Sequence, residues 1–242
     1  MDAIRIEHLT KKYKDVTAVE DLSLTVERGE LLSLLGVNGA GKTTTIKMLS
    51  GLAKPTAGDA FLGGYSVRTE TQAVKSIIAI SPQETAVAPG LTVQENMELM
   101  CGIYGISRAD RSKKICQLME QLGLDSVAKK KAGKLSGGWQ RRLSIAMALV
   151  SDPQILFLDE PTLGLDVIAR SELWDLIRSL KGETTIILTT HYMEEAEALS
   201  DRIAIMKDGK LLICATAEEI KQTAGTDNFE QAFVSIVRGV GR

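Results

Sequence analysis

Glu30-Leu31-Leu32-Ser33-Leu34-Leu35-Gly36-Val37-Asn38-Gly39-Ala40-Gly41-Lys42-Thr43 is an apolar run closing on a glycine-rich octet, GxxxxGK[ST] from Gly36 to Thr43. The run has the length and composition of a buried strand, and Thr43 to Leu49 continues as a helix. Strand, glycine loop and helix in that order form a phosphate cradle. The glycines let successive backbone N–H groups turn toward phosphate oxygens, and the helix N-terminus adds partial positive charge. Lys42 is placed to neutralise the β- and γ-phosphates, and Thr43 to hold Mg²⁺. A merely flexible glycine turn would need neither the lysine nor the flanking elements.

Two stretches downstream extend the cradle. Ile155-Leu156-Phe157-Leu158 is a second apolar strand, and it ends in Asp159-Glu160. Carboxylates at the C-terminal end of a strand face the ligand crevice of an α/β sheet. That assigns Asp159 to Mg²⁺ and Glu160 to general-base work on an attacking water. Ahead of it, Leu135-Ser136-Gly137-Gly138 opens a helix that carries Arg141 and Arg142. A hydroxyl and bare glycine amides at a helix start make a second phosphate cradle; the alternative is an ordinary N-cap at Ser136.

These motifs, in this order, resemble the ATP-binding cassette (ABC) family. The resemblance runs from Tyr13 to about Ala215 and implies ATP hydrolysis with ATP and Mg²⁺ as ligands. It places Gly36, Asn38, Gly39, Ala40, Gly41, Lys42, Thr43 and Thr44 around the phosphates, and Tyr13 on the adenine. A tyrosine near a strand end is otherwise plain packing. It makes Gln83 a sensor of Mg²⁺ and water at the entrance to the helical region, and His191 a contact to the γ-phosphate that helps position the water. Catalysis then falls to Glu160, His191, Lys42 and Gln83, and the metal to Thr43, Gln83 and Asp159. Ser136, Gly137, Gly138 and Asp166 would close the ATP site of a second copy paired head to tail, giving a homodimer. Asp166 also suits an N-cap. Trp139 departs from the glutamine common after the second glycine. Leu91 to Asn96, Pro161 to Asp166 and Glu194 to Glu197 look like drug-, sodium- or lipid-export cassettes, which pair with a separate integral membrane permease. A soluble cassette acting on nucleic acid or the ribosome is the alternative.

The fold class expected is α/β: a P-loop NTPase core with a mainly parallel sheet, an N-terminal antiparallel β subdomain and an inserted α-helical subdomain. Strand–helix alternation from about 151 to 215 supports the parallel core. Residues 1–90 and 151–220 are assigned to that core, 91–150 to the helical insertion and 221–242 to a C-terminal tail, within one nucleotide-binding domain. Thr92 with Glu95 reads as a capping box. Ile115, Leu118, Met119 and Leu122 keep a helical period up to Gly123, and Met97, Met100, Met119 and Met147 read as core filler. Lys207-Asp208-Gly209-Lys210 signals a type I′ hairpin. Phe229, Phe233 and Ile236 mark a last short helix.

Composition bounds the partners. A net charge of −2 gives no nucleic-acid footprint. No apolar run approaches the roughly 20 residues that span a bilayer. The expectation is a cytoplasmic chain, peripheral on the membrane through its permease. Lys129-Lys130-Lys131 reads as a solvated stretch, with anionic headgroups the other use for it. Cys101, Cys116 and Cys214 lack paired spacing and are expected as reduced, small buried hydrophobes. His8 has no motif around it and is expected to be structural.

Overall fold

The structure, a computed structural model, describes residues 2–239. The chain opens with two long strands, β1 (Asp2–Tyr13) and β2 (Val16–Glu27), in which buried and exposed residues alternate. The buried strand β3 (Leu31–Leu35) runs into helix α1 (Lys42–Leu49). Strands β4 (Ala57–Leu62) and β5 (Tyr65–Ser66) follow, then α2 (Thr71–Ile77) and β6 (Ile78–Ser81). Three helices come next: α3 (Val93–Ile103), α4 (Arg108–Gln121) and α5 (Gly137–Leu149). Strand and helix then alternate through β7 (Ile155–Asp159), α6 (Val167–Ser179), β8 (Thr185–Thr190) and α7 (Met193–Leu199). The hairpin of β9 (Arg202–Lys207) and β10 (Lys210–Ala215) leads to α8 (Ala217–Ala224) and α9 (Phe229–Arg238).

The strands form two sheets. The first, in the order β2-β1-β4-β5, is antiparallel throughout. The second has the order β10-β9-β3-β8-β7-β6, parallel from β9 to β6, with β10 antiparallel at one edge. This is the α/β arrangement expected, with its antiparallel N-terminal subdomain. Ile46, Met48 and Leu49 of α1 pack with Ile4 and Leu22 of the first sheet and Phe157 of the second, so one apolar layer joins the two sheets.

The helices of 91–150 do not own a separate core. Val93, Met97, Leu118 and Met119 share one cluster with Leu156, Leu158, Ile186 and Leu188 of the parallel sheet. Two helix starts are built as expected. Thr92 Oγ1 accepts from Glu95 N–H at 3.2 Å and Thr92 N–H donates to Glu95 Oε2 at 2.7 Å, a complete capping box. Such a cap is worth about 1 kcal/mol. Asp166 caps α6 through the Ala169 N–H at 2.9 Å. Asp208 and Gly209 both have positive φ, 49° and 79°, as a type I′ turn requires. The C-terminal helix is docked rather than loose: Phe229 and Phe233 are buried with Leu35, Ile203 and Ile205.

Two expectations, the burial of Cys116 and of Cys214, need correction. Cys116 is exposed and Cys214 only half-buried; Cys101 alone is buried. His8 is exposed, and its Nδ1 pairs with Asp21 at 2.7 Å. Helix α2 carries no clear hydrophobic period, since only Val74 of its seven residues is buried. Lys129, Lys130 and Lys131 are exposed, as expected of a solvated stretch.

Candidate functional site: a phosphate cradle at the edge of the parallel sheet

Register decides where the site forms. Leu35 pairs with Thr190, and Asp159 with Thr189. The chain therefore leaves β3, β7 and β8 along one edge, at Gly36, Glu160 and His191. One strand over, Ser81 pairs with Leu158, which brings Gln83 to the same edge. Two backbone bonds tie the exits together: Gly36 N–H donates to Thr190 O at 3.4 Å, and Glu160 N–H to Thr189 O at 3.1 Å.

The pocket at this edge has a volume of about 790 Å³, and its lining includes Asn38, Gly39, Ala40, Gly41, Lys42, Thr43, Thr44, Gln83, Glu160 and His191. Gly36 lies beneath it, where a Cβ would stand 2.4 Å from Met206 O. Gly41 is left-handed, at φ +101°, and packs against Ala18 O. The β9–β10 turn clasps the loop from the other side, with Gly209 N–H donating to Ala40 O at 3.2 Å. The loop is thus fastened to β2 and to the hairpin before any ligand arrives.

Lys42 is buried, and its Nζ donates to Gly36 O at 2.7 Å and Val37 O at 3.2 Å. It stands 4.0 Å from Glu160 Oε1. Burial pushes the ammonium below its usual range, and Glu160 and Asp159 push it back. A desolvated cation hydrogen-bonded to loop carbonyls suits an incoming polyanion. Asp159 is buried and accepts from the Thr189 hydroxyl and, at 3.3 Å, from the Thr43 hydroxyl. Among the described residues no group of three or more His, Cys, Asp and Glu side chains could hold a metal alone. One carboxylate with one hydroxyl fits Mg²⁺, which binds through one or two carboxylates plus substrate phosphates.

Glu160 has φ +47°, and its N–H is shared between Thr189 O and Thr189 Oγ1. His191 Nδ1 lies 3.3 Å from Glu160 Oε2, but in no hydrogen-bonding geometry. The general-base candidate and the histidine therefore face each other over the pocket.

Tyr13 and the residues expected to close a second ATP site, Ser136, Gly137, Gly138 and Asp166, stand off this lining. Ser136 begins α5 at the N-cap position, yet its side chain caps nothing, and it is exposed together with Gly137. Gly138 lets α5 approach α6, since a Cβ there would lie 3.1 Å from Ala169 Cβ. Asp166 is exposed beside it. Tyr13 also lies outside the lining; its ring is exposed, with Lys11 Nζ 4.8 Å from the centroid.

Sequence patterns missed the interior wiring. Thr189, the hydroxyl partner of Asp159, looked like one more strand residue. Asp208 lines the pocket although only its turn was legible. Arg141 is buried in α5 and donates to Pro82 O at 2.6 Å and Gln83 O at 2.7 Å, holding the Gln83 loop to the helix that Ser136 opens. Its signal was an arginine among the apolar neighbours Leu143, Ile145 and Ala146.

A glycine cradle with a buried lysine and a paired Asp-Glu at one edge of a parallel sheet defines a P-loop nucleoside triphosphatase. The ABC transporter family profile matches residues 19–163. The chain is 41% identical over 226 residues to human phospholipid-transporting ATPase ABCA3, covering 92% of the chain and 13% of that protein. It is 44% identical over 212 residues to doxorubicin resistance ATP-binding protein DrrA of Mycobacterium tuberculosis, covering 87% of the chain and 64% of the relative. The structure of a dimeric ATP-binding cassette in a post-hydrolysis state, bound to ADP and Pi, superposes with a TM-score of 0.78 at 28% identity, covering 88% of this chain and 98% of that one. The chain belongs to the ABC transporter family.

Proposed function

We propose that this chain is the ATP-hydrolysing subunit of a membrane transporter, an exporter. It works as a homodimer on a separate integral membrane permease, at the cytoplasmic face. The observation that carries this is the separation of the two phosphate cradles. Ser136 and Gly137 stand exposed, Gly138 is half-buried against α6, and all three lie away from the pocket of Lys42. A second molecule placed head to tail would set them on its triphosphate. Export is supported by kinship with proteins named for doxorubicin resistance and phospholipid transport. No helix among the described residues is long and apolar enough to cross a membrane.

In this scheme Lys42 and the loop amides bind the β- and γ-phosphates, and Tyr13 stacks on the adenine. Thr43 and Asp159, with Gln83, would hold Mg²⁺, which supplies charge neutralisation to the phosphates. Glu160 takes a proton from water as the water oxygen attacks the γ-phosphorus, and the bond to the β-phosphate oxygen breaks. His191 orients the water against Glu160. Loss of the γ-phosphate removes what the Ser136 turn grips, and the pair opens. Residues 91–150 move as the helical lobe on a core of 1–90 and 151–220, with 221–242 as a C-terminal extension. Arg141 passes that motion between the Gln83 loop and α5.

The test is Glu160→Gln. ATP should hold it as a dimer in size-exclusion chromatography, while phosphate release falls about a hundredfold or more. Wild-type turnover would remove Glu160 as the base. Co-purification of the wild-type chain from detergent-solubilised membranes with an integral protein tests the permease.

A further inference from the structure

Behind the reacting groups lies a carboxyl that the hydrolysis scheme leaves unused. Glu195 of α7 is wholly buried, at 0% exposure. Its Oε1 accepts a hydrogen bond from Trp174 Nε1 of α6 at 3.1 Å. The side chains of Thr190 and Thr162 also interact with it. Yet Glu195 Oε2 and Thr162 Oγ1 are both buried without a partner in hydrogen-bonding geometry. Two charged groups reach it through space, Arg170 of α6 and Arg141 of α5. Burial raises its pKa, and the hydrogen bonds and Arg170 oppose that. A protonated carboxyl removes the buried charge and gives Oε2 a hydrogen to offer the threonines.

The partners matter for where they sit in the chain. Thr162 comes two residues after Glu160. Thr190 immediately precedes His191, and its hydroxyl already accepts from Tyr192 N–H at 2.9 Å. Trp174 belongs to the helix that Asp166 caps. One side chain therefore touches the three segments that carry the base, the histidine and the dimer-facing aspartate. We propose that the buried Glu195 carboxyl is a positioning group: it pins the end of β8 to the turn after Glu160 and to α6, and so fixes the 3.3 Å approach of His191 to Glu160. This rests on Glu160 and His191 acting together in hydrolysis. A pair displaced by about 1 Å loses much of its rate without losing the substrate, because Lys42 and the glycine loop bind phosphate independently of α7.

Two variants of the full chain test it, with two readouts. Glu195→Leu removes the polarity; Glu195→Gln keeps an acceptor for Trp174 and a donor for the threonines. Steady-state phosphate release with Mg²⁺ and ATP separates kcat from KM. Ring-nitrogen NMR reads His191 directly, since the chain has 2 histidines. Glu195→Leu should lower kcat about tenfold with KM within about twofold, and should shift the His191 signals. Glu195→Gln should restore both. If Glu195→Leu cannot be obtained folded, Trp174→Phe removes the indole donor alone and should move the same two readouts less. Wild-type kcat and His191 signals in Glu195→Leu, or in Trp174→Phe where that stands in, overturn the proposal, as does a Glu195→Gln variant as impaired as leucine. A wild-type chain that releases no phosphate instead refutes the hydrolytic reading, and the His191 signals still decide the pinning.

Discussion

Gly39 and Gly41 look equivalent in the loop, and the structure separates them. Both are left-handed, at φ +85° and +101°. A Cβ on Gly39 meets nothing within 4 Å, whereas one on Gly41 would lie 2.6 Å from Ala18 O and 3.2 Å from Val19 Cγ2. Alanine at either position carries about 1–2 kcal/mol of backbone strain, offset by roughly 0.5 kcal/mol of lost unfolded-state freedom. Only at Gly41 does a clash with fixed backbone add about 1–3 kcal/mol. The expected losses are thus about 1 kcal/mol for Gly39→Ala and about 3 kcal/mol for Gly41→Ala. For a chain of this size each kcal/mol is worth about 2–4 °C, so the melting temperatures should fall by about 2–4 °C and about 6–12 °C. Thermal unfolding followed by circular dichroism without nucleotide measures both. Equal shifts would refute the claim that the loop is fastened to β2 at Gly41.

Two further outcomes follow from the same geometry. Ser136→Arg should leave ATP affinity of the isolated chain unchanged while abolishing the ATP-dependent dimer, because the serine stands off its own pocket; a normal dimer by light scattering would contradict the trans role. Glu195→Gln should alter the pH dependence of stability. Burial raises the Glu195 pKa above its ordinary 4.5, so the folded state keeps a proton that the unfolded chain has lost. Wild-type stability therefore falls as pH rises above 4.5 until the folded group ionises, and the glutamine variant lacks that decline. Melting curves that run parallel for the two proteins across pH would contradict it.

Much of the molecule could be read in advance where one local rule suffices. The octet from Gly36 to Thr43, the Thr92 and Glu95 capping box, the Asp208-Gly209 turn and the α9 face of Phe229 and Phe233 are all short-range patterns. What stayed hidden depends on contacts distant in sequence. The pairing of Asp159 with the Thr189 hydroxyl needs the register of β7 on β8. The reach of Arg141 to Gln83 O spans 58 positions. Cys116 illustrates the reverse failure, because composition assigns a thiol to the interior while helix phase turns this one outward. The merging of the helical insertion into the core of the parallel sheet escaped notice too, since hydrophobic period says that a face is buried but not against what.

Glu160 adopts a backbone shape, φ +47°, that glycine or asparagine would occupy with less strain. Folding preference alone does not favour a glutamate there. The twist aims the carboxylate out over the cradle, and the rest of the sheet holds it in that posture against its own inclination. Selection for robustness and selection for turnover thus pull on this one residue in opposite directions. A copy relieved of chemical duty, kept only to embrace its neighbour, should drift first at this position.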